Sequence, residues 1–205
     1  MNKIYFVTGS QDLYGEETLA QAARDSAKMA DFLNEKLSDI AEVIFQPVGK
    51  TADEAEDICV RASSDRECIG VIMWMHTFSP AKMWIRALKA LKKPMLHLHT
   101  QFNEKLPYDS IDMDFMNLNQ SAHGDREFGF ICTRLGIRRE VVAGYYQHGD
   151  VIEKIRRFAH AASAVSFSRT LRVAMLGNNM RDVAVTDGDR VESEICFGWN
   201  GNYYG

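Results

Sequence analysis

The sequence has little cysteine and little proline, no surplus of positive charge and no long apolar run, and each shortage excludes something. Its four cysteines, Cys59, Cys68, Cys132 and Cys196, stand far apart without a C-x-x-C pair, so neither a zinc knuckle nor a redox dithiol is signalled. A disulfide framework is unusual in a chain of this size without a secretion signal, so reduced thiols are expected. The net charge is −4 with both signs interspersed, which leaves no basic face for a nucleic acid or an anionic membrane, and neither partner is expected. No stretch approaches the roughly 18 apolar residues of a membrane span. The N-terminus passes from Met1-Asn2-Lys3 into Ile4–Val7 without a cleavage signal, and a cytoplasmic protein is expected.

What is present is a chain of 205 residues, 46% of them hydrophobic, able to bury a full core as one domain with an appendage. Short apolar runs alternate with longer amphipathic stretches, the pattern of a parallel sheet covered by helices. Strands are expected at Ile4–Val7, Val43–Phe45, Ile69–Met75, Met95–Leu98, Val141–Tyr145 and Leu171–Leu176. Between them, helices are expected from Glu16 to Leu37, from Thr51 to about Ala62, from Ser79-Pro80 to Leu91 and over Val151–Val165. Asp112 to Arg134 reads as one or two helices broken near Gly124. The fold class is therefore α/β, a doubly wound and mostly parallel sheet of Rossmann or flavodoxin type. After Leu176 the Asp-Gly punctuation suggests short strands instead of a further helix, the first strands of a second domain. The expected division is 1–170 for the N-terminal α/β domain and 171–205 for an incomplete central domain. That unfinished domain predicts exposed apolar surface around Ile195, Phe197, Trp199 and Tyr203.

In doubly wound sheets ligands gather outside the carboxyl ends of the strands, which puts the segments TGSQDLYG, MHTFSP and HLHTQFN on one rim. Loops dense in His, Gln, Asn and aromatics suit carbohydrates, because amides match hydroxyls and ring faces cover C–H surfaces. Gly9–Gly15 follows the first strand but lacks G-x-G-x-x-G, so a dinucleotide is not expected. A small-ligand lip and a plain strand-to-helix turn fit it equally. His97 and His99 point to one side of a strand and His76 ends another; a three-histidine metal site is weighed against histidines hydrogen-bonded at the rim, and the second is preferred. Asp112 and Asp114 diverge on a helix and suit capping or turns. Gln120, His123 and Glu127 share a helix face, either a solvated stripe or a contact surface. Trp74, Trp84 and Met83 read as core, with Phe78 set apart by its place in a loop.

The segments GSQDLYG (9–15), WMHTFSPAKMWI (74–85), LHTQFN (98–103), SIDMDFMNLNQSAHGDREFGF (110–130) and NNMRDVAVTDGD (178–189) resemble L-arabinose isomerase, in order and over essentially the whole chain. The resemblance implies an aldose–ketose isomerase that converts L-arabinose to L-ribulose, and D-galactose to D-tagatose more slowly. It implies Mn²⁺ holding the sugar's O1 and O2 while a glutamate pair moves a proton through an enediol, and a homo-oligomer, the family's hexamer. Carried over by motif, Gln11, Leu13, Tyr14, Phe78 and Met180 line the sugar pocket, and Gln120 and His123 reach into a neighbouring subunit's site. The family's metal ligands and acid/base glutamates belong to later regions, so catalytic and metal residues are expected to be absent here, and the 205 residues alone are expected to be inactive. The competing reading is a non-catalytic assembly or sugar-binding module derived from the isomerase. Flavodoxin-like nucleotide or flavin binding rests on fold analogy alone.

Overall fold

The computed structural model describes residues 1–177, 183 and 188–205, and its chain divides into two compact units, Met1–His160 and Ala161–Gly205. In the first, strands β1 (Lys3–Thr8), β2 (Glu42–Phe45), β3 (Cys68–Trp74), β4 (Met95–His99) and β5 (Glu140–Ala143) form a parallel sheet in the order β2-β1-β3-β4-β5. This is the doubly wound arrangement expected. All seven residues of β3 are buried, as required of a strand covered on both faces. The edge strands β2 and β5 are short, which limits the unpaired backbone open to a second chain.

Helices α1 (Gly15–Leu37), α2 (Ala52–Ser64), α3 (Trp84–Ala90), α4 (Met113–Leu118) and α5 (Ser121–Arg134) connect these strands, and α6 (Gly149–Ser168) follows β5 and runs into the second unit. Thr51 caps α2 by accepting from the Glu54 N–H at 3.2 Å, and Asp112 caps α4 by accepting from Phe115 N–H at 2.8 Å, so both take the capping roles read from their spacing. Two local expectations need correction. Ser79-Pro80 does not open an α-helix: a 3₁₀ turn at Ala81–Met83 intervenes, and the Ser79 hydroxyl instead accepts from Trp84 Nε1 at 2.9 Å. The break after α4 falls at Asn119-Gln120, not Gly124. Gly124 lies inside α5 because a Cβ there would stand 2.7 Å from the Thr77 carbonyl and 3.0 Å from Met75 Cβ, so only glycine lets α5 lie against the β3 loop.

A continuous core of Val7, Ile58, Met73, Trp84, Leu88, Met95 and Phe128 fills the face under α2, α3 and α5. Cys59 and Cys132 belong to it as free thiols, and burial pushes them up to about 12 and about 11, which keeps them protonated and unreactive. Cys68 is also free and buried and Cys196 free and exposed, as the spacing implied. Among the described residues, no helix is long and apolar enough to cross a membrane.

The second unit holds a parallel pair, β6 (Arg172–Leu176) and β7 (Asn200–Tyr204), with α7 (Arg190–Phe197) preceding β7. The helix corrects the expectation of short strands alone. Asp189, the residue after the Asp-Gly pair, accepts from the Glu192 N–H at 2.9 Å and starts the helix, and Gly198, at φ 78°, ends it in the left-handed conformation. Ile195, Phe197, Trp199 and Tyr203 are exposed, as expected.

Replacing Gly124 with alanine is expected to cost about 1–3 kcal/mol by overpacking α5 against the β3 loop. Gly149→Ala, at a position with open space around it, should be neutral or slightly stabilising. Urea denaturation of the two variants checks the contrast, and equal effects would contradict the packing explanation.

Candidate functional site

Two helices that face the sheet carry an aspartate where the pattern calls for an apolar residue. The buried stripe of α1 is Ala22, Asp25, Ser26, Met29, Ala30, Leu33 and Leu37; that of α5 is Ser121, Gly124, Asp125, Phe128 and Cys132. A buried carboxyl requires partners, and both find a histidine, one just after β3 and one within β4. Asp25 Oδ2 lies 3.1 Å from His76 Nε2, its Oδ1 accepts from Gln21 Nε2 at 2.8 Å, and the His76 ring stacks on Trp74 with centroids 4.4 Å apart. Asp125 Oδ1 accepts from the Met75 N–H at 2.9 Å and lies 2.9 Å from His97 Nε2, while His97 Nδ1 lies 3.0 Å from His99 Nε2.

The second pair therefore extends into a row, Asp125, His97, His99. Burial lowers His97 to about 2, with the neighbouring His99 and Arg139 adding to the effect, and burial likewise raises Asp125 well above its usual range against the opposing Met75 N–H bond. Both shifts have one cause. Desolvation favours the uncharged form of each partner, so the row is held by hydrogen bonds between neutral groups.

The rim above β1 and β3 is the topological switch point, where doubly wound sheets bind ligands. Here the crevice itself is closed. Ser10 Oγ and Thr77 Oγ1 meet at 2.7 Å, fully buried, and a Cβ on Gly9 would approach Met75 Sδ to 2.5 Å. The backbone N–H groups that a phosphate loop would offer are already bonded, Gly9 to the Trp74 carbonyl and Ser10 to that of Gly49. A nucleotide phosphate would find neither of these two N–H groups free.

Several residues singled out from the sequence stand at this rim. Gln11 precedes the 3₁₀ turn Asp12–Tyr14, which presents Leu13 with 85% of its surface exposed. Phe78 packs edge-on against His123 with ring centroids 5.2 Å apart. Gln120 donates its backbone N–H to the His76 carbonyl at 3.0 Å, which places the start of α5 beside the β3 loop. Glu127 accepts from the Ala81 N–H at 3.2 Å, so the stripe of Gln120, His123 and Glu127 faces the segment that carries Phe78. The structure brings Phe78, Gln120 and His123 together, and the Ser10–Thr77 bond brings the residues preceding Gln11 and Phe78 into contact. Met180 lies outside the described residues.

The sequence reading missed a second polar region. His97 and His99 do share a side, but His76 is held apart by Asp25, and the third group in the row is Asp125. A cavity of about 790 Å³ opens beside it, lined by His99, Gln101, Asp125, Arg139 and Tyr145 among others. The signal available was Asp125 itself, a charged residue in register with Ser121, Phe128 and Cys132 on an otherwise buried stripe.

Among the described residues, His97, His99 and Asp125 are the group whose ligand atoms fall within 4.8 Å of one another. They do not fit a resident divalent ion. His97 engages both ring nitrogens, Asp125 Oδ1 is bonded to Met75 and His97, and the Arg139 guanidinium is near enough to lower the proton affinity of both imidazoles.

The family model described as the L-arabinose isomerase N-terminal domain matches residues 1–170, and that described as the L-arabinose isomerase central domain matches residues 172–205. The L-arabinose isomerases of Geobacillus thermodenitrificans and Geobacillus stearothermophilus are each 52% identical to this chain over 203 residues, 99% of this chain and 41% of theirs. That of Mycolicibacterium smegmatis is 54% identical over 202 residues, 98% of this chain and 40% of its own. The chain thus spans about two fifths of the length of the curated relatives it matches.

The buried row has a stability consequence with a definite sign. Folded His97 stays neutral down to about 2, whereas an unfolded histidine binds a proton below 6.5, so its contribution is fully present above that value and is lost as pH falls through the window. Asp125 acts oppositely, because its raised folded value retains a proton that the unfolded chain releases above 3.8. Between about pH 7 and pH 5, His97→Gln is expected to flatten the acid decline of the melting temperature and Asp125→Asn to steepen it. Calorimetric melts that run parallel to the parent's in both variants would refute this.

Proposed function

The chain belongs to the L-arabinose isomerase family, and from that premise we propose that it supplies sugar-facing walls to an aldose–ketose isomerase interconverting L-arabinose and L-ribulose. D-galactose to D-tagatose is the slower reaction of the same site. The observation that carries this reading is the match of the N-terminal domain across residues 1–170, joined to a rim whose half-buried aromatic and amide groups suit hydroxylated ligands.

Aldose–ketose interconversion removes a proton from C2, passes through an enediol and returns a proton to C1, while a hydroxyl proton moves from O2 to O1. The walls must hold the open-chain sugar so that both carbons face one acid/base pair, and must keep water away. In this reading the Gln11 and Gln120 amides exchange hydrogen bonds with sugar hydroxyls, Tyr14 and Phe78 cover C–H surface, and Leu13 and Met180 close apolar sides. His123, braced by the Phe78 ring, donates or accepts at a hydroxyl. The exposure of Leu13 supports a ligand or partner lying outside this chain, and in this reading Gln120 and His123 reach into the site of a neighbouring subunit of a homo-oligomeric hexamer. The Mn²⁺ and the carboxylates that move the proton are assigned to residues outside these 205.

Fusing residues 1–205 to the remaining region of the Geobacillus stearothermophilus relative tests the reading. With Mn²⁺ added, the chimera is expected to form ketose from L-arabinose, and His123→Ala and Gln11→Ala are each expected to lower kcat/KM by about tenfold or more, in line with loss of a substrate hydrogen bond. The 205 residues alone should show no turnover. An active chimera indifferent to both substitutions, or turnover by the 205 residues alone, would overturn the assignment.

A further inference from the structure

A buried anchor lies at the base of the loop that carries Phe78. The His76 side chain has no exposed surface: its Nε2 lies 3.1 Å from Asp25 Oδ2 on α1, its ring stacks on Trp74 with centroids 4.4 Å apart, and the Phe102 ring stands tilted to it at 6.1 Å. Its neighbours are fixed in turn. Asp25 Oδ1 accepts from Gln21 Nε2 at 2.8 Å, Trp74 Nε1 donates to the Thr100 carbonyl at 2.9 Å, and Thr100 Oγ1 accepts from the Tyr146 N–H at 3.1 Å. The imidazole therefore ties α1 and the end of β3 to the segment after β4, from a residue that belongs to no strand or helix.

The backbone of the same residue holds the rim. The His76 carbonyl accepts the Gln120 N–H at 3.0 Å and the Ser121 hydroxyl at 3.4 Å, so the start of α5 is fixed to it. Thr77 Oγ1 meets Ser10 Oγ at 2.7 Å, next to Gln11, and Phe78 follows, edge-on to His123 with centroids 5.2 Å apart. Phe78, Gln120 and His123 are thus placed from one residue whose own ring is fixed from α1. A stacked ring alone can slide and turn in its plane, whereas a hydrogen bond of about 3 Å fixes its edge. Asp25, 2% exposed, carries a desolvation cost that an apolar residue would not, and what it adds is that fixed edge.

We propose that Asp25 and His76 are positioning residues for the sugar-facing wall: the buried pair sets the His76 backbone, and through it the placement of Phe78, Gln120 and His123, so that sugar affinity depends on a carboxyl that no sugar atom touches. The inference rests on the isomerase reading of those three residues and deepens it. Neither side chain of the pair is open to a ligand, so neither is a catalytic residue.

Kinetics of the Mn²⁺-loaded chimera carrying Asp25→Ala, Asp25→Asn or the double change Asp25→Leu with His76→Phe test the proposal. Asp25→Ala is expected to raise KM for L-arabinose about tenfold with a smaller change in kcat, within the roughly hundredfold that a displacement of about 1 Å costs. A merely structural role would reduce the amount of folded enzyme, and with it the apparent kcat, at unchanged KM. Asp25→Asn still offers His76 a donor and an acceptor and is expected to return KM to within about twofold of the parent. The double variant keeps the ring and leaves no buried group unpaired, so it is expected to fold where Asp25→Ala does not, and to show the same rise in KM. An unchanged KM in the folded variants that lack the hydrogen bond, or an equal rise with Asp25→Asn, overturns the proposal. His123→Ala separates the two readings: if it lowers kcat/KM while the Asp25 variants leave KM unchanged, the positioning inference fails alone. If the chimera ignores His123→Ala, the wall reading fails, and amide shifts of the ¹⁵N-labelled 205-residue double variant decide the placement. Shifts at Phe78, Gln120 and His123 are expected, and shifts confined to α1 overturn it.

Discussion

The carboxyl ends of the central strands depend on two buried aspartate–histidine pairs. Asp25 on α1 meets His76 after β3, and Asp125 on α5 meets His97 on β4, so each helix is tied to the sheet by a polar contact placed within an apolar face. Removing one member of such a pair leaves an unpaired buried donor or acceptor at a cost of about 1–3 kcal/mol. The apolar core under α2, α3 and α5 would tolerate a range of helix rotations, whereas a hydrogen bond of about 3 Å tolerates few. These pairs therefore specify position more than they add stability. Asp125 shows this most directly, because one oxygen binds both the Met75 backbone and His97 and so locks α5 to two neighbouring strands.

Both sides of α5 are set by that locking. On one side Gly124 lets the helix lie against the Thr77 carbonyl, which brings His123 to Phe78 and Gln120 to the His76 carbonyl. On the other, Asp125 borders the cavity with His99 and Arg139. One helix thus serves two polar surfaces with residues adjacent in sequence. The closed crevice at Ser10 and Thr77 displaces any ligand from the usual switch point toward the loop tips, where Leu13 and His123 are exposed.

Much of the fold was legible because its signals are local. The fully apolar β3, the Thr51 and Asp112 caps and the shared side of His97 and His99 follow from period and capping alone. The failures arise where a local signal has two structural uses. Asp-Gly punctuation reads as a turn between strands, yet the next residue, Asp189, caps α7, and the helix was missed for that reason. Glycine inside a helix reads as a break, yet Gly124 is there for a close approach that involves Thr77, distant in sequence. The residues carried over as sugar-facing came through motif resemblance, not through periodicity; Gln101 stands in one of those motifs, LHTQFN, without having been singled out, and Arg139 stands in none.

The sequence by itself determined the α/β class, the parallel order of strand and helix, the free thiols and the membership in the L-arabinose isomerase family, because alternation, spacing and motif identity are properties of neighbours along the chain. Only the tertiary structure decided that His76 and His97 go to different aspartates, that the switch-point crevice is filled, and that Asp125 borders a cavity with His99 and Arg139. Each of these depends on groups far apart in the chain meeting across the sheet. Burial, which gives such meetings their energetic weight, does not exist until the helices have packed.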